Sequence, residues 1–312
     1  MKPIVLAALL VTGTWLGSLA GQQLPATYLL PDEAGSWTPP PGAHVARPVE
    51  GPIRVQIRGV GEFMVDPAQL TTVRPDVFSP GQFSLFDLLV YLAEQGEIEL
   101  SYHYDELVAT HVIDSLNGEG GWWYRAHYAG GWFETSAVRM DLYPVKTGTE
   151  VRFFRERAGW LERLFSAYRE EVELLERNGG RVILPRVTIR GPDWTLEFTH
   201  VEVTPHGVRS DMLRPRVVTA LDVLLSLGEQ GNLAGLGLTW YGRIGAAAPV
   251  DTYFVEYIAG EGHSARARGS CGFVYEVGSL EFPGFRGSHV HIPSDIRVIV
   301  SPEYMEWFWI CL

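Results

Sequence analysis

Apolar residues alternate with polar ones over Ile53-Arg54-Val55-Gln56-Ile57 and again over Ile183, Pro185, Val187 and Ile189. Period-two alternation of this kind predicts half-buried strands. A glycine follows each run, Gly59 or Gly191, and a second alternating run comes after it, from Glu62 to Val65 or from Thr195 to Val203. Each pair therefore reads as a hairpin. The spacing then lengthens to three and four residues: Leu85, Leu88, Leu89 and Leu92 in one place, Leu221, Leu224 and Leu225 in the other. That spacing predicts helices of about three turns with one apolar face. Ser84-Leu85-Phe86-Asp87 and Thr219-Ala220-Leu221-Asp222 form an Asp variant of the capping box at their starts, and Gly96 and Gly231 stop them. Strands follow at Val112–Leu116 and Tyr253–Ile258, then at Trp122–Tyr124 and Phe273–Tyr275, and a closing strand is expected at 151–154 and 296–300.

The two halves are one unit written twice. Arg54-Val55-Gln56-Ile57-Arg58-Gly59 recurs as Arg186-Val187-Thr188-Ile189-Arg190-Gly191, and Glu94-Gln95-Gly96 recurs as Glu229-Gln230-Gly231. Repetition of this kind signals a duplicated architecture. A residue kept in both copies is expected to hold the fold, and one found in a single copy is the better candidate for function. Asp87 and Asp222 are on this ground caps and not catalytic acids.

Strand, strand, helix and further strands predict an α+β class, with one helix laid across a mixed sheet in each copy. Ser84-Leu85-Phe86-Asp87-Leu88-Leu89, Ser115-Leu116-Asn117-Gly118 and Gly120-Gly121-Trp122-Trp123-Tyr124 resemble the transcobalamin-like C-terminal domain, a β-grasp-type module of bacterial surface proteins and cobalamin carriers. The resemblance covers about 100 residues of the first copy; the second has Ala259 for Asn117 and Phe273-Val274 for the tryptophan pair. It implies two tandem β-grasp-like domains, 53–156 and 181–312. The helical-barrel domain that completes cobalamin carriers has no counterpart here, and no cofactor is expected. Between the copies Leu161, Leu164, Phe165, Tyr168, Val172 and Leu175 fall at helical spacing, so residues 157–180 are expected to form a connecting helix.

Composition narrows the partners. The formal charge is −12, and lysine occurs only as Lys2 and Lys146. No basic stripe exists to neutralise phosphates, so nucleic acid is not an expected partner. Residues 1–20 read as a secretory signal, cleaved or kept as a single-span membrane tether. The proline-rich stretch 21–52 reads as a linker. An oxidising compartment would allow Cys271 and Cys311 to pair, although two cysteines carry no pattern that requires it.

No nucleophile motif, phosphate loop or metal-ligand set appears; His289 and His291 share a strand face but lack the further ligands a metal needs. A non-catalytic binding role is expected, for a small planar or carbohydrate ligand or another surface protein. The candidate residues are those found in one copy only. Trp123, Tyr128, Trp132 and Phe133 are read either as exposed stacking aromatics or as filling the gap between the two domains. His263, Arg266 and Arg268 belong to an insertion between Gly260 and Gly272, read either as a surface loop with no task or as the place where a duplicated scaffold gains specificity. The alternative is a structural subunit of an envelope assembly, packing the connecting helix and the tail Trp307-Phe308-Trp309-Ile310-Cys311-Leu312 against other proteins.

Overall fold

The alternating segments form strands and the longer-period segments form helices, giving an α+β chain. The computed structural model describes residues 27–30, 39, 43–128, 134–243, 249–280, 286–287 and 292–311. In order, the elements are β1 (Thr27–Leu30), β2 (Ile53–Ile57), β3 (Gly61–Val65), α1 (Leu85–Glu94), β4 (Leu100–Asp105), β5 (Thr110–Leu116), β6 (Trp122–Tyr128), β7 (Glu134–Thr135) and β8 (Thr149–Arg155). The connecting helix α2 (Ala158–Arg177) follows. Then come β9 (Val182–Arg190), β10 (Thr195–Val203), α3 (Ala220–Glu229), β11 (Gly235–Arg243), β12 (Pro249–Gly260), β13 (His263–Arg266), β14 (Cys271–Gly278), β15 (Arg286–Gly287) and β16 (Tyr304–Cys311).

Two five-stranded sheets share one topology. The first runs β3-β2-β8-β6-β7 and the second β10-β9-β16-β14-β15. In each, a parallel pair sits at the centre, β2 with β8 or β9 with β16, and the flanking pairs are antiparallel. A helix leads from the opening hairpin back across each sheet, and both helices begin with the expected box: the Asp87 and Asp222 carboxylates accept from the backbone N–H groups of Ser84 (2.7 Å) and Thr219 (2.6 Å). Gly96 and Gly231 follow both helices at φ +75°, a left-handed conformation that a side chain would resist.

The apolar faces build separate cores. Val55, Ile57, Leu85, Leu88, Tyr124 and Phe153 belong to one; Val187, Ile189, Leu221, Leu224, Phe273 and Trp307 belong to the other. α2 lays Leu161, Leu164 and Tyr168 against the first core, while Leu175 touches the second. A smaller cluster of Val77, Phe78, Leu142, Met212, Leu213 and Ile296 lies between them. Phe78 and Leu213 form a backbone bridge there, and Ser79 N–H donates to the Met212 carbonyl at 3.0 Å.

Three sequence expectations change. The closing strand of the second copy is β16 and not 296–300: Ile296 is buried in the cluster between the cores, and the aromatic tail supplies the central strand instead. The insertion after Gly260 is more than a loop, since β13 adds a strand to the β12 edge. The proline-rich stretch is not an unpacked linker along its whole length. β1 pairs antiparallel with β11, the Ala46 N–H donates to Asp211 at 2.8 Å, and Arg47 binds Asp251 at 2.8 Å. Proline removes donors without preventing an extended segment from using those that remain. The sheet carrying β1 runs β1-β11-β12-β13, whereas its counterpart in the first copy is the two-stranded β4-β5.

Candidate functional site

The sheet parity of β6 puts Trp122 and Tyr124 on the face toward α1, and both are enclosed. Trp123 faces the other way but is also buried, at 4% exposure, which corrects its expected place on the surface. Trp160 and Phe165 of α2 cover its ring at centroid distances of 5.8 and 6.2 Å, and its Nε1 donates to the Ser136 carbonyl at 2.7 Å. Tyr128 is corrected in the same way: it is 1% exposed, its hydroxyl donates to the Pro249 carbonyl, and Lys146 Nζ lies 3.9 Å from its ring centroid. Trp132, Phe133, His289 and His291 lie outside the described residues.

His263, Arg266 and Arg268 are exposed as expected, but they do not converge. His263 and Arg266 stand three residues apart in β13 and so point to opposite faces. The His263 ring stacks on Trp194, Arg266 pairs with Glu256 at 2.7 Å, and Arg268 closes the turn before Cys271 through backbone bonds. Cys271 and Cys311 face each other across β14 and β16 and are joined as a disulfide.

An ionic network centred on a buried arginine is present twice. Arg74 binds Asp76 at 2.8 Å and Asp141 at 2.9 Å; Arg209 binds Asp211 at 3.0 Å and Asp295 at 2.7 Å. The aspartates are satisfied alike, Asp141 by the Thr110 hydroxyl (2.5 Å) and the His111 N–H (3.0 Å), Asp295 by the Thr252 hydroxyl (2.6 Å) and the Tyr253 N–H (3.0 Å). Burial would raise the Asp141 carboxyl, yet His111 and Arg74 hold it below its ordinary value. In both copies it joins the segment before the capped helix, a strand that follows that helix (β5 or β12) and the segment before the last strand of the sheet. The same burial lowers the Lys146 amine to about 7, against the attraction of Asp295 and Asp251.

Function is better sought where the copies diverge in charge. Arg125 of β6 stands opposite Arg152 of β8, and Gln56 of β2 is in register with Arg152. The equivalent positions of the second sheet are Glu276, Glu306 and Thr188. Two arginines of one copy are thus two glutamates of the other. In the second copy Arg190 pairs with Glu306 at 2.9 Å; in the first, the equivalent Arg58 shares a recess of about 650 Å³ with Arg125 and Arg152. Ile57, Gly59, Gly61 and Phe154 are among the residues that line it, and the Arg125 guanidinium lies 5.1 Å from the Phe154 ring centroid. Arg54, next along this face, is held by Glu62 at 2.8 Å and Glu150 at 3.7 Å. Three exposed guanidinium groups around one opening suit an anion and raise the local potential in an otherwise acidic chain.

Sequence reasoning passed over Arg58, Arg125 and Arg152. The signal was present in Arg125, whose counterpart Glu276 has the opposite charge, but only the sheet register brings Arg152 beside it. Among the described residues no group of three or more histidine, cysteine, aspartate or glutamate side chains is placed to hold a metal ion. Comparison with protein-family models, with curated proteins and with solved structures finds no match.

Proposed function

We propose that the chain is an exported, non-catalytic binding protein made of two tandem β-grasp-like domains of the transcobalamin-like kind. Its ligand is a small planar or carbohydrate molecule bearing carboxylate, sulfate or phosphate groups, held by Arg58, Arg125 and Arg152. The inversion of Arg125 and Arg152 to Glu276 and Glu306 carries this reading, because duplication supplies a built-in control for what the sheet needs structurally. Phe154 offers an apolar surface beside the guanidinium groups. Export is supported by the apolar segment within residues 1–20 and by the Cys271–Cys311 bond. Among the described residues no helix is long and apolar enough to cross a membrane.

The alternative, a structural envelope subunit, draws on α2 and the C-terminal tail. Both are used within the chain: α2 buries Leu161, Leu164 and Val172, and β16 lies between β9 and β14. Calorimetric titration with a sulfated oligosaccharide and with its desulfated parent tests the binding reading. Binding of the sulfated form alone, weakened by salt, supports it; equal binding of both forms, or of neither, counts against it.

A further inference from the structure

We propose that the outer edge of β4 receives an extended, basic segment of a partner protein as an added strand. The inference is independent of the arginine recess. β4 and β11 are equivalent: each follows the capped helix, each pairs with the next strand of its copy, and each carries an irregularity at the same place, between Ser101 and Tyr102 or between Gly237 and Leu238. On β11 that edge is filled. β1 runs antiparallel along it, with Thr27 opposite Thr239, Tyr28 opposite Leu238, Leu29 opposite Gly237 and Leu30 opposite Leu236. The corresponding stretch of β4 is Leu100 to His103, and among the described residues no strand covers it.

Exposure follows the same division. Leu238 and Trp240 are 0% and 8% exposed, whereas the equivalent Tyr102 and Tyr104 are 37% and 44% exposed. The backbone of a sheet edge presents unpaired N–H and C=O groups, which an extended peptide can take up while its alternate side chains choose the site. Tyr102 and Tyr104 are braced from below by Phe86 and His111, at 5.1 and 5.2 Å between ring centroids, so the aromatic surface is already in place.

Charge selects the occupant. From residue 94 to residue 121 the chain has no lysine or arginine, while Glu97, Glu99, Asp105, Glu106 and Asp114 lie in or beside the hairpin; the Arg74 guanidinium, 5.5 Å from the Tyr104 ring centroid, is matched by Asp76 and Asp141. β1 itself, Thr27-Tyr28-Leu29-Leu30, has no charge with which to answer that rim, so a second copy is a poorer fit than a strand alternating apolar and basic residues.

The test adds a capped peptide of alternating lysine and valine to the full chain and follows backbone hydrogen exchange. Slowed exchange at Leu100–His103, absent with a glutamate–valine peptide, is the expected result. The charge-reversed variant Glu99→Lys with Asp105→Lys should lose the lysine peptide and gain the glutamate one, and that gain could not come from misfolding. Protection at β11 in place of β4, or equal binding of both peptides, would overturn the proposal. So would peptide-free protection of β4 that grows with protein concentration and disappears in Leu29→Asp, because the occupant would then be a second copy.

Discussion

Arg209 and Asp295 meet at 2.7 Å with neither side chain exposed, and they lie 86 residues apart in sequence. The pair ties the segment before α3 to the segment before β16. Burial alone would lower the Arg209 pKa, but Asp295 and Asp211 keep it raised and the charge in place. Removing one partner strands the other charge. Asp295→Asn is therefore expected to destabilise the chain by about 3–5 kcal/mol, measured by urea unfolding. Replacement of both residues by apolar side chains of similar volume should cost less than the single change.

Trp122 and Trp123 are expected to behave alike despite facing opposite sides of β6. Each is nearly enclosed, one against the α1 side of the sheet and the other beneath α2. Alanine at either position should cost about 3–5 kcal/mol through the cavity it leaves. A Trp123→Ala variant as stable as the wild type in thermal unfolding would return that ring to the surface.

Lys146 should make stability depend on pH in a defined direction. Its amine is lowered to about 7 in the folded chain, against an ordinary value of 10.5. Between these values the unfolded chain binds more protons than the folded one, so stability rises with pH across the window from about 7 to 10. Denaturation midpoints taken across that range should climb in the wild type relative to Lys146→Met, in which this contribution is gone. Parallel curves for the two proteins would contradict the shift.

The helices were readable because their determinants are local. Ser84 with Asp87, Thr219 with Asp222, and the glycines two residues beyond each helix all act within a few positions of one another. The hairpins were readable for the same reason. The closing strand of the second copy was not, since Ile296 and the β16 residues are both apolar and only the parallel register with β9 decides between them. Nor was the burial of Trp123, which depends on a helix more than thirty residues later in the chain. The ionic network escaped notice although Arg74-Pro75-Asp76 and Arg209-Ser210-Asp211 are a repeated motif, because their partners Asp141 and Asp295 arrive through separate loops.

On the proposed function, duplicated residues hold the fold and the charge-inverted pair carries binding. The double variant Arg125→Glu with Arg152→Glu gives the first copy the charges of the second, and its titration with a sulfated oligosaccharide, read beside its melting temperature, tests that claim. Because the second sheet carries the same pair of glutamates beside Arg190, the melting temperature should stay close to that of the wild type while binding is lost. Retained affinity for the oligosaccharide, with a melting temperature clearly lowered, would show that the arginines serve the sheet and that the ligand binds elsewhere.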